Sequence, residues 1–314
     1  MAVAFEVGTH SGTFHADDVL AFALIRRFVE PSANIVRTRD LDRLGACDIV
    51  IDVGGEFDPS RRRFDHHQVA YGGPRSSAGM ILDWLESDGV VDHDLAQVLR
   101  DRMVDYIDAV DTGREAPRLD VPCLARVVEY LGQGRTTAES QLEGFLAATN
   151  IATQVLEGVM RAHNETTTAR DVVLRAMAEA KAAETSVIEF SDLVSWKQVY
   201  FANGGATHPT AYILFPQDNT FKIVAIPPTL GQFEQKRSLP ASWAGLIGEA
   251  LETASGVAGA QFCHKNRFIA VFSSREGALG ALARADLLRP WSTEELPETA
   301  PAAPDGDTAR ITPV

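Results

Sequence analysis

At 314 residues, 45% hydrophobic and 23% charged, the chain has an ordinary soluble composition and is long enough for two domains with sizeable cores. No apolar stretch approaches a membrane span, and the first residues run into a strand-like segment with neither a basic stretch nor a cleavage site, so a cytoplasmic protein is expected. The net charge of −14 is uneven, with 19 Lys and Arg against 30 Asp and Glu in residues 1–184, 9 against 8 in residues 185–290 and 1 against 5 beyond; this disfavours a broad grip on nucleic acid and suits a carboxylate-rich pocket offset by divalent cations.

The chain opens as strand, loop and helix: residues 3–7, then Gly8-Thr9-His10-Ser11-Gly12-Thr13-Phe14-His15, then an apolar-rich helix over residues 16–28. His10, His15 and Asp17 collect two imidazoles and a carboxylate at the carboxyl end of a strand, where open α/β folds place their ligands. Asp18 reads as a helix-capping acid. Neither a Gly-Lys-Ser/Thr nor a Gly-x-Gly-x-x-Gly pattern is present here, which disfavours an ATP site.

A second strand, residues 34–36, leads into Arg37-Thr38-Arg39-Asp40, whose two guanidinium forks suit phosphate oxygens and equally suit a charged turn. Residues 47–53 are apolar on both faces, like a buried parallel strand, except for Asp52 near their end. A carboxylate inside such a run needs a metal or a hydrogen-bond donor to relieve its burial. The run Arg63-Phe64-Asp65-His66-His67-Gln68 then adds a carboxylate and two imidazoles, a ligand mixture suited to Mn, Fe, Zn or Co rather than Ca.

Ser76 or Ser77 is expected to cap a helix running to about Leu85, with exposed amides that can hold an anion and Arg75 beside them on the substrate side. In the next helical stretch Asp101, Asp105 and Asp108 share a face, Asp111 follows, and Gly113 is the stop signal. The dipole opposes acids at a helix C-terminus, so one of Asp108 and Asp111 is expected to have a cation nearby. Residues 140–183 read as alanine-rich packing helices and a connection. Strands at residues 186–190, 211–215, 221–226, 260–263 and 268–272, with helices at 243–254 and 275–287, make a second domain. Residues 291–314, rich in Pro, Ala, Thr and Glu, are expected to be disordered. Cys47, Cys123 and Cys263 form no Cys-x-x-Cys pair and read as buried thiols.

His10, His15, Asp17, Asp52, His66 and Asp111 together are about what two divalent cations need, with Asp52 as a central carboxylate able to bridge. The chemistry implied is hydrolysis of a phosphoester or phosphoanhydride without a covalent enzyme intermediate. Asp65 is expected behind the ligands, orienting an imidazole, with Asp108 as the alternative ligand.

The chain resembles the melanocyte proliferating gene family, once catalogued as metal-dependent protein hydrolases and related to the DHH phosphoesterase superfamily. The likeness rests on Gly8 through Asp18, Val36-Arg37-Thr38-Arg39-Asp40, Asp52-Val53-Gly54-Gly55, Phe64-Asp65-His66-His67-Gln68, Ser76-Ser77-Ala78-Gly79 and Ile107-Asp108-Ala109-Val110-Asp111. Ser238-Leu239-Pro240-Ala241-Ser242-Trp243 and Arg275-Glu276-Gly277-Ala278-Leu279 extend it into the second domain.

The resemblance implies an α/β protein in which a DHH-like N-terminal domain (residues 1–184), with a mainly parallel sheet flanked by helices, precedes a smaller α/β C-terminal substrate-binding domain (185–290). It also implies two divalent cations, Mn2+ foremost with Mg2+, Co2+, Fe2+ or Zn2+ as substitutes, and a 3′-to-5′ exonuclease activity on RNA or short oligonucleotides. By position, His10, His15 and Asp52 would hold one cation, Asp17, Asp52, His66 and Asp111 the other, and His67 would face the scissile phosphate. Where the family pattern has a His followed by Phe-Ile-Gly-Gly, this chain has His264-Lys265-Asn266-Arg267-Phe268-Ile269-Ala270-Val271, which adds side chains where a backbone could approach a substrate. Lys236, Arg237 and His264 are expected substrate contacts. The expected partners are RNA or oligonucleotide ends, or a small phosphoester, with no membrane and a homodimer as an option. Competing readings are a small-molecule phosphatase or pyrophosphatase, and a binding protein whose cluster only stabilises the fold, against which the open, cysteine-free ligand set speaks.

Overall fold

The structure is a computed structural model in which residues 4–295 are described. Two compact units, Met1–Asn164 and Glu165–Val314, divide inside one long helix rather than at residue 184, where the sequence placed its boundary.

In the first unit, the strands are β1 (Glu6–Thr9), β2 (Asn34–Arg37), β3 (Ile49–Ile51), β4 (Phe57–Asp58) and β5 (Arg63–Phe64). They form one sheet in the order β2-β1-β3-β5-β4, parallel throughout except for β4, which pairs antiparallel with β5 at the edge. The predicted mainly parallel sheet is present. Its helices are α1 (Ala16–Phe28), α2 (Leu41–Gly45), α3 (Ser77–Ser87), α4 (His93–Leu99), α5 (Asp105–Asp111), α6 (Leu124–Gly132) and the part of α7 (Ala138–Ala182) up to Asn164, with a turn of π-helix, Arg100–Val104, before α5. Helix α1 is buried from Asp17 through Ile25, as expected of a helix covered on every side. It packs on α3, α5 and α6, and its Phe22 meets Phe145 of α7 at 5.8 Å between ring centroids. Val7, Ile49, Ile51 and Phe64 carry the sheet side of this core.

Because β1, β3 and β5 run in the same direction, their carboxyl ends lie on one edge of the sheet. The residues that follow them are His10, Asp52 and Asp65-His66-His67. Strand β5 is only two residues long, too short for a period to show in the sequence, and its pairing to β3 brings the His-His segment beside Asp52.

The second unit contains β6 (Val187–Glu189), α8 (Trp196–Ala202), β7 (Tyr212–Gln217), β8 (Thr220–Ala225), α9 (Glu249–Ser255), β9 (Ala260–Cys263), β10 (Ile269–Phe272) and α10 (Arg275–Arg284). Its sheet order is β6-β7-β8-β10-β9, with β6 parallel to β7 and every other pair antiparallel. Alternation along β7 gives each face its own core: Ile213 and Phe215 pack with Val173 and Met177 of α7 and with Tyr200 of α8, while Tyr212 and Leu214 join the core that holds Leu251 of α9 and Leu282 of α10. Ala270, one of the residues replacing the expected glycines, is wholly buried in that second core, so its methyl group fills the interior.

Two expectations are corrected here. The helix predicted over residues 243–254 is broken: Gly245 and Gly248 adopt positive φ (74° and 52°), and only Glu249–Ser255 is α-helical. Disorder was expected from residue 291, yet Trp291 is 3% exposed and its indole Nε1 donates to the Lys236 carbonyl at 3.0 Å. The remainder of that predicted tail, residues 296–314, lies outside the described residues. Among the described residues no helix is long and apolar enough to cross a membrane, and the three cysteines are free, Cys47 and Cys263 being buried.

Candidate metal centre

His10 follows β1 directly, and its ring is almost wholly buried. Its Nδ1 lies 3.2 Å from the Ser11 carbonyl, an acceptor that calls for a proton on Nδ1 and leaves the Nε2 lone pair facing inward. What Nε2 faces is two carboxylates, Asp52 Oδ2 at 3.2 Å and Asp18 Oδ2 at 3.5 Å. Three acceptors around one point repel unless a proton or a cation lies between them.

Asp52 comes one residue after β3, with φ at +57°, a conformation uncommon for any residue but glycine and one that functional sites often retain. Its amide still donates to the Phe64 carbonyl at 3.0 Å, so the parallel pairing with β5 holds the residue in place. Asp52 Oδ1 lies 3.2 Å from His66 Nε2 and 3.5 Å from His67 Nδ1. His66 Nε2 in turn lies 2.9 Å from Asp111 Oδ2 and 3.9 Å from Asp17 Oδ2. Despite these approaches, Asp17 Oδ1, Asp52 Oδ1 and His66 Nε2 are buried and have no hydrogen bond of acceptable geometry among the described residues. Lone pairs that gather without bonding one another are the arrangement a cation completes.

Three ligand groups overlap in this space: His10, His15 and Asp52; His15, Asp17 and Asp111; Asp52, His66 and His67. Within each group one donor atom per residue lies within 4.8 Å of the others. All six residues expected as metal ligands are therefore gathered. His67, expected on the substrate side, also falls within reach of a ligand role.

The electrostatics carry the mark of crowded carboxylates. Burial, reinforced by the charges of Asp52 and Asp111, raises the Asp17 carboxyl well above the usual range. Burial likewise pushes Asp18 up to about 7, with Asp52 adding to it. Asp52 is opposed by burial, but the His10 and His66 imidazoles outweigh that and hold it down at about 2. His66 is also opposed by burial, and the carboxylates of Asp111 and Asp52 carry it up to about 10.

Asp65 is buried and accepts from the Gly55 amide at 2.6 Å through Oδ2, and from the His67 amide at 3.1 Å and His67 Nδ1 at 2.8 Å through Oδ1. The imidazole it orients is that of His67. Asp18 accepts from the His15 amide at 2.9 Å, the capping role expected of it. Asp108 is not placed as a ligand. Its carboxylate is fully buried and accepts from Ser76 N, Ser76 Oγ and Gly79 N at 3.0, 2.6 and 3.1 Å, closing the start of α3, while Arg75 Nη1 lies 3.3 Å away. A Cβ on Gly79 would sit 2.1 Å from Asp108 Oδ2, so this contact needs a glycine.

The expected substrate contacts fare less uniformly. Arg39 borders a cavity of about 250 Å³ with His10, His15, Asp52 and His67, and is exposed. Arg37 is instead half-buried and engaged by the fold: its guanidinium lies between the rings of Phe14 and Phe145, at 5.4 and 5.2 Å, and its Nη2 donates to the Gly12 carbonyl at 2.8 Å. Burial lowers its pKa. Arg75 is paired with Asp83, Asp105 and Asp108. Ser76 is held by Asp108, and Ser77 Oγ donates to Asp17 Oδ2 at 2.9 Å, positioning a candidate ligand rather than an anion.

Lys236 and Arg237 are also corrected. Lys236 is 2% exposed, its Nζ surrounded by Gly205 O, His208 O, Tyr200 Oη and Thr210 O at 2.6, 2.9, 3.0 and 3.3 Å. Arg237 binds Glu295 through Nε and Nη2 and three backbone carbonyls through its Nη atoms. Neither is free for a substrate, because their donors are taken by partners about 30 to 60 residues away, of which their sequence neighbourhood gave no hint. His264 stays half-buried in the turn after β9, beside Phe268 at 4.5 Å.

The sequence profile of MYG1_exonuc, described as an uncharacterised protein family (UPF0160), matches residues 6–287. Among similar proteins, the MYG1 protein of Chlamydia trachomatis (serovar D) is 36% identical over 287 residues, covering 90% of this chain and 96% of that one. The MYG1 exonuclease of Homo sapiens is 33% identical over 321 residues, covering 90% and 85%. Among solved structures, RecJ in complex with Mn2+ from Thermus thermophilus is 13% identical with a TM-score of 0.28, covering 91% of this chain, which spans about half the length of that protein (53%). Exonuclease RecJ bound to manganese is 12% identical, TM-score 0.27, covering 89% and 88%.

Proposed function

The chain belongs to the MYG1_exonuc family, and from that premise we propose that it is a divalent-metal-dependent exonuclease that removes nucleotides from the ends of RNA or short oligonucleotides, in the 3′-to-5′ direction, with Mn2+ as its cation. The observation that carries this reading is the convergence of Asp17, Asp52 and His66 with buried, unpartnered donor atoms at the carboxyl edge of a parallel sheet. A set of mixed nitrogen and oxygen donors, three imidazoles and three carboxylates, suits such cations. His10, His15 and Asp52 would hold one, and Asp17, Asp52, His66 and Asp111 the other. When bound, they supply a water deprotonated at neutral pH and positive charge against the phosphoryl oxygens.

The side chains of the chain itself do the rest. Asp52 belongs to both ligand sets, and its left-handed backbone aims one carboxylate oxygen at His10 and the other at His66. Ser77 and the helix start hold Asp17. Asp65 fixes the His67 ring through Nδ1, and the ring, 61% exposed, offers its Nε2 to a phosphate oxygen or to the leaving hydroxyl. Arg39, exposed at the rim of the same cavity, would orient a non-bridging phosphate oxygen.

The test uses end-labelled oligoribonucleotides, with either the 5′ or the 3′ end marked, beside pyrophosphate and cyclic dinucleotides, each with added Mn2+. Stepwise loss of 3′ nucleotides by the wild type and none by Asp52→Ala is expected. Cleavage of the small substrates alone would establish a small-molecule phosphatase or pyrophosphatase instead.

A further inference from the structure

A second cavity, of about 410 Å³, adjoins the centre. It shares His15, Asp17 and Asp111 with the ligand groups, and its remaining walls are mainly apolar: Phe14, Ile107, Val110, Pro117 and Ala125. His15 also borders the smaller cavity that contains Arg39. The centre thus has a charged recess on one side and an apolar recess on the other. A phosphodiester carries the same two chemistries, an anion and a flat ring system attached through a sugar.

We propose that the apolar cavity seats the nucleobase of the nucleotide next to the cleaved phosphate, with Arg126 reading a hydrogen-bond acceptor on the base edge. This deepens the nuclease reading above and rests on it. Phe14 backs the cavity without offering a free ring face, being 2% exposed, edge-on to Phe145 at 5.8 Å between centroids and covered by the Arg37 guanidinium at 5.4 Å, so a base would lie against the aliphatic wall of Ile107, Val110, Pro117 and Ala125. Base recognition by an aromatic or apolar wall tolerates every base, because each presents a flat face. Arg126 lines the cavity and is held by its own helix, with Nη1 on Glu129 and Nη2 on the Tyr130 hydroxyl at 3.0 Å. That arrangement leaves Arg126 Nε buried and without a partner among the described residues. A buried donor left unsatisfied is costly, and an acceptor brought in by a ligand relieves the cost. A purine N7 or a pyrimidine O2 is such an acceptor.

The experiment measures binding of adenosine 5′-monophosphate and of ribose 5-phosphate to the full chain with Mn2+ present, by calorimetric titration. Wild type is expected to prefer the nucleotide by about tenfold or more, the scale of one stacked base. Ala125→Trp, which fills the cavity, should bring the ratio close to one, and Val110→Phe provides a second filling variant should the first not fold, as judged by circular dichroism. Arg126→Met should reduce the ratio by a few-fold. A ratio near one in the wild type, or an unchanged ratio in a folded filling variant, overturns the proposal. An oligoribonucleotide whose terminal residue is abasic separates the two readings: if it is degraded as fast as the intact strand, the base cavity is wrong while the nuclease stands. If no oligonucleotide is degraded but the filling variants abolish the nucleotide preference, the nuclease reading fails and the cavity stands.

Discussion

In the first unit, the cluster of His10, Asp17, Asp52 and His66 is buried with three polar atoms lacking any hydrogen bond among the described residues. In the second unit, Lys236 and Arg237 are equally removed from solvent, but four oxygens surround the Lys236 ammonium and Glu295 and backbone carbonyls meet the Arg237 guanidinium. Burial therefore does not distinguish a working site from a structural one. What separates these two is the balance of donors and acceptors: a surplus of acceptors awaits something cationic, whereas a closed balance locks a fold together.

The difference breaks first at Asp52. Asp52→Asn is expected to lower Mn2+-dependent oligonucleotide hydrolysis by at least about 10³-fold, several kcal/mol of transition-state stabilisation, and to lower the melting midpoint of the cation-free protein as well, because the His10 and His66 imidazoles that hold the Asp52 carboxyl down at about 2 lose the charge they face. Single-turnover assays and calorimetry measure both; activity that survives would remove the functional half of the contrast.

Lys236→Met probes the other half. It leaves a group of buried oxygens without their donor and is expected to destabilise by roughly 3 kcal/mol or more in urea unfolding. Its Mn2+ affinity should equal that of the wild type. A mild effect would mean that the closed balance contributes little.

Cation binding gives a third, smaller effect. Mn2+ at about 100 times its dissociation constant should stabilise the native state by roughly 2.7 kcal/mol, seen as a higher melting midpoint that a chelator reverses. Asp52→Asn should lose most of that rise.

The smallest effect is in acid. The Arg237 guanidinium holds the Glu295 carboxyl down at about 2, from an ordinary 4.5. A carboxyl depressed by folding contributes its full stability above the ordinary value, and loses it as pH falls through about 2. The contribution is on the order of 1 kcal/mol after allowance for partial exposure. Unfolding followed from pH 5 to pH 2 should be shallower in Glu295→Gln than in the wild type; equal slopes would show that the pair adds nothing.

The same contrast explains how much could be read from the residues alone. Strands β1, β2 and β3, helix α1 and the gathering of His10, His15, Asp17, Asp52, His66 and Asp111 were legible, because each ligand stands at the end of a short apolar run or at a helix terminus, where local pattern carries the signal; β4 and β5, of two residues each, were not. The choice between Asp108 and Asp111 was not, since both are acids near one helix end, and only the packing of α5 against the start of α3 assigns Asp108 to Ser76 and Gly79. The broken helix before α9 could have been read from Gly245 and Gly248. The burial of Trp291 could not be, as its neighbours in sequence are polar and Pro-rich.

By itself, then, the sequence determined the first three strands and helix α1 of the first unit, the chemical character of its centre and the family to which the chain belongs, all of them consequences of local periodicity and of residue types close together in the chain. Tertiary structure alone decided which charged and hydroxyl groups are free. Arg37, Arg75, Ser76, Ser77, Lys236 and Arg237 all looked available, but each meets a partner 8 to 60 residues away. Hydrogen bonding depends on distance in space, which spacing along the chain does not encode.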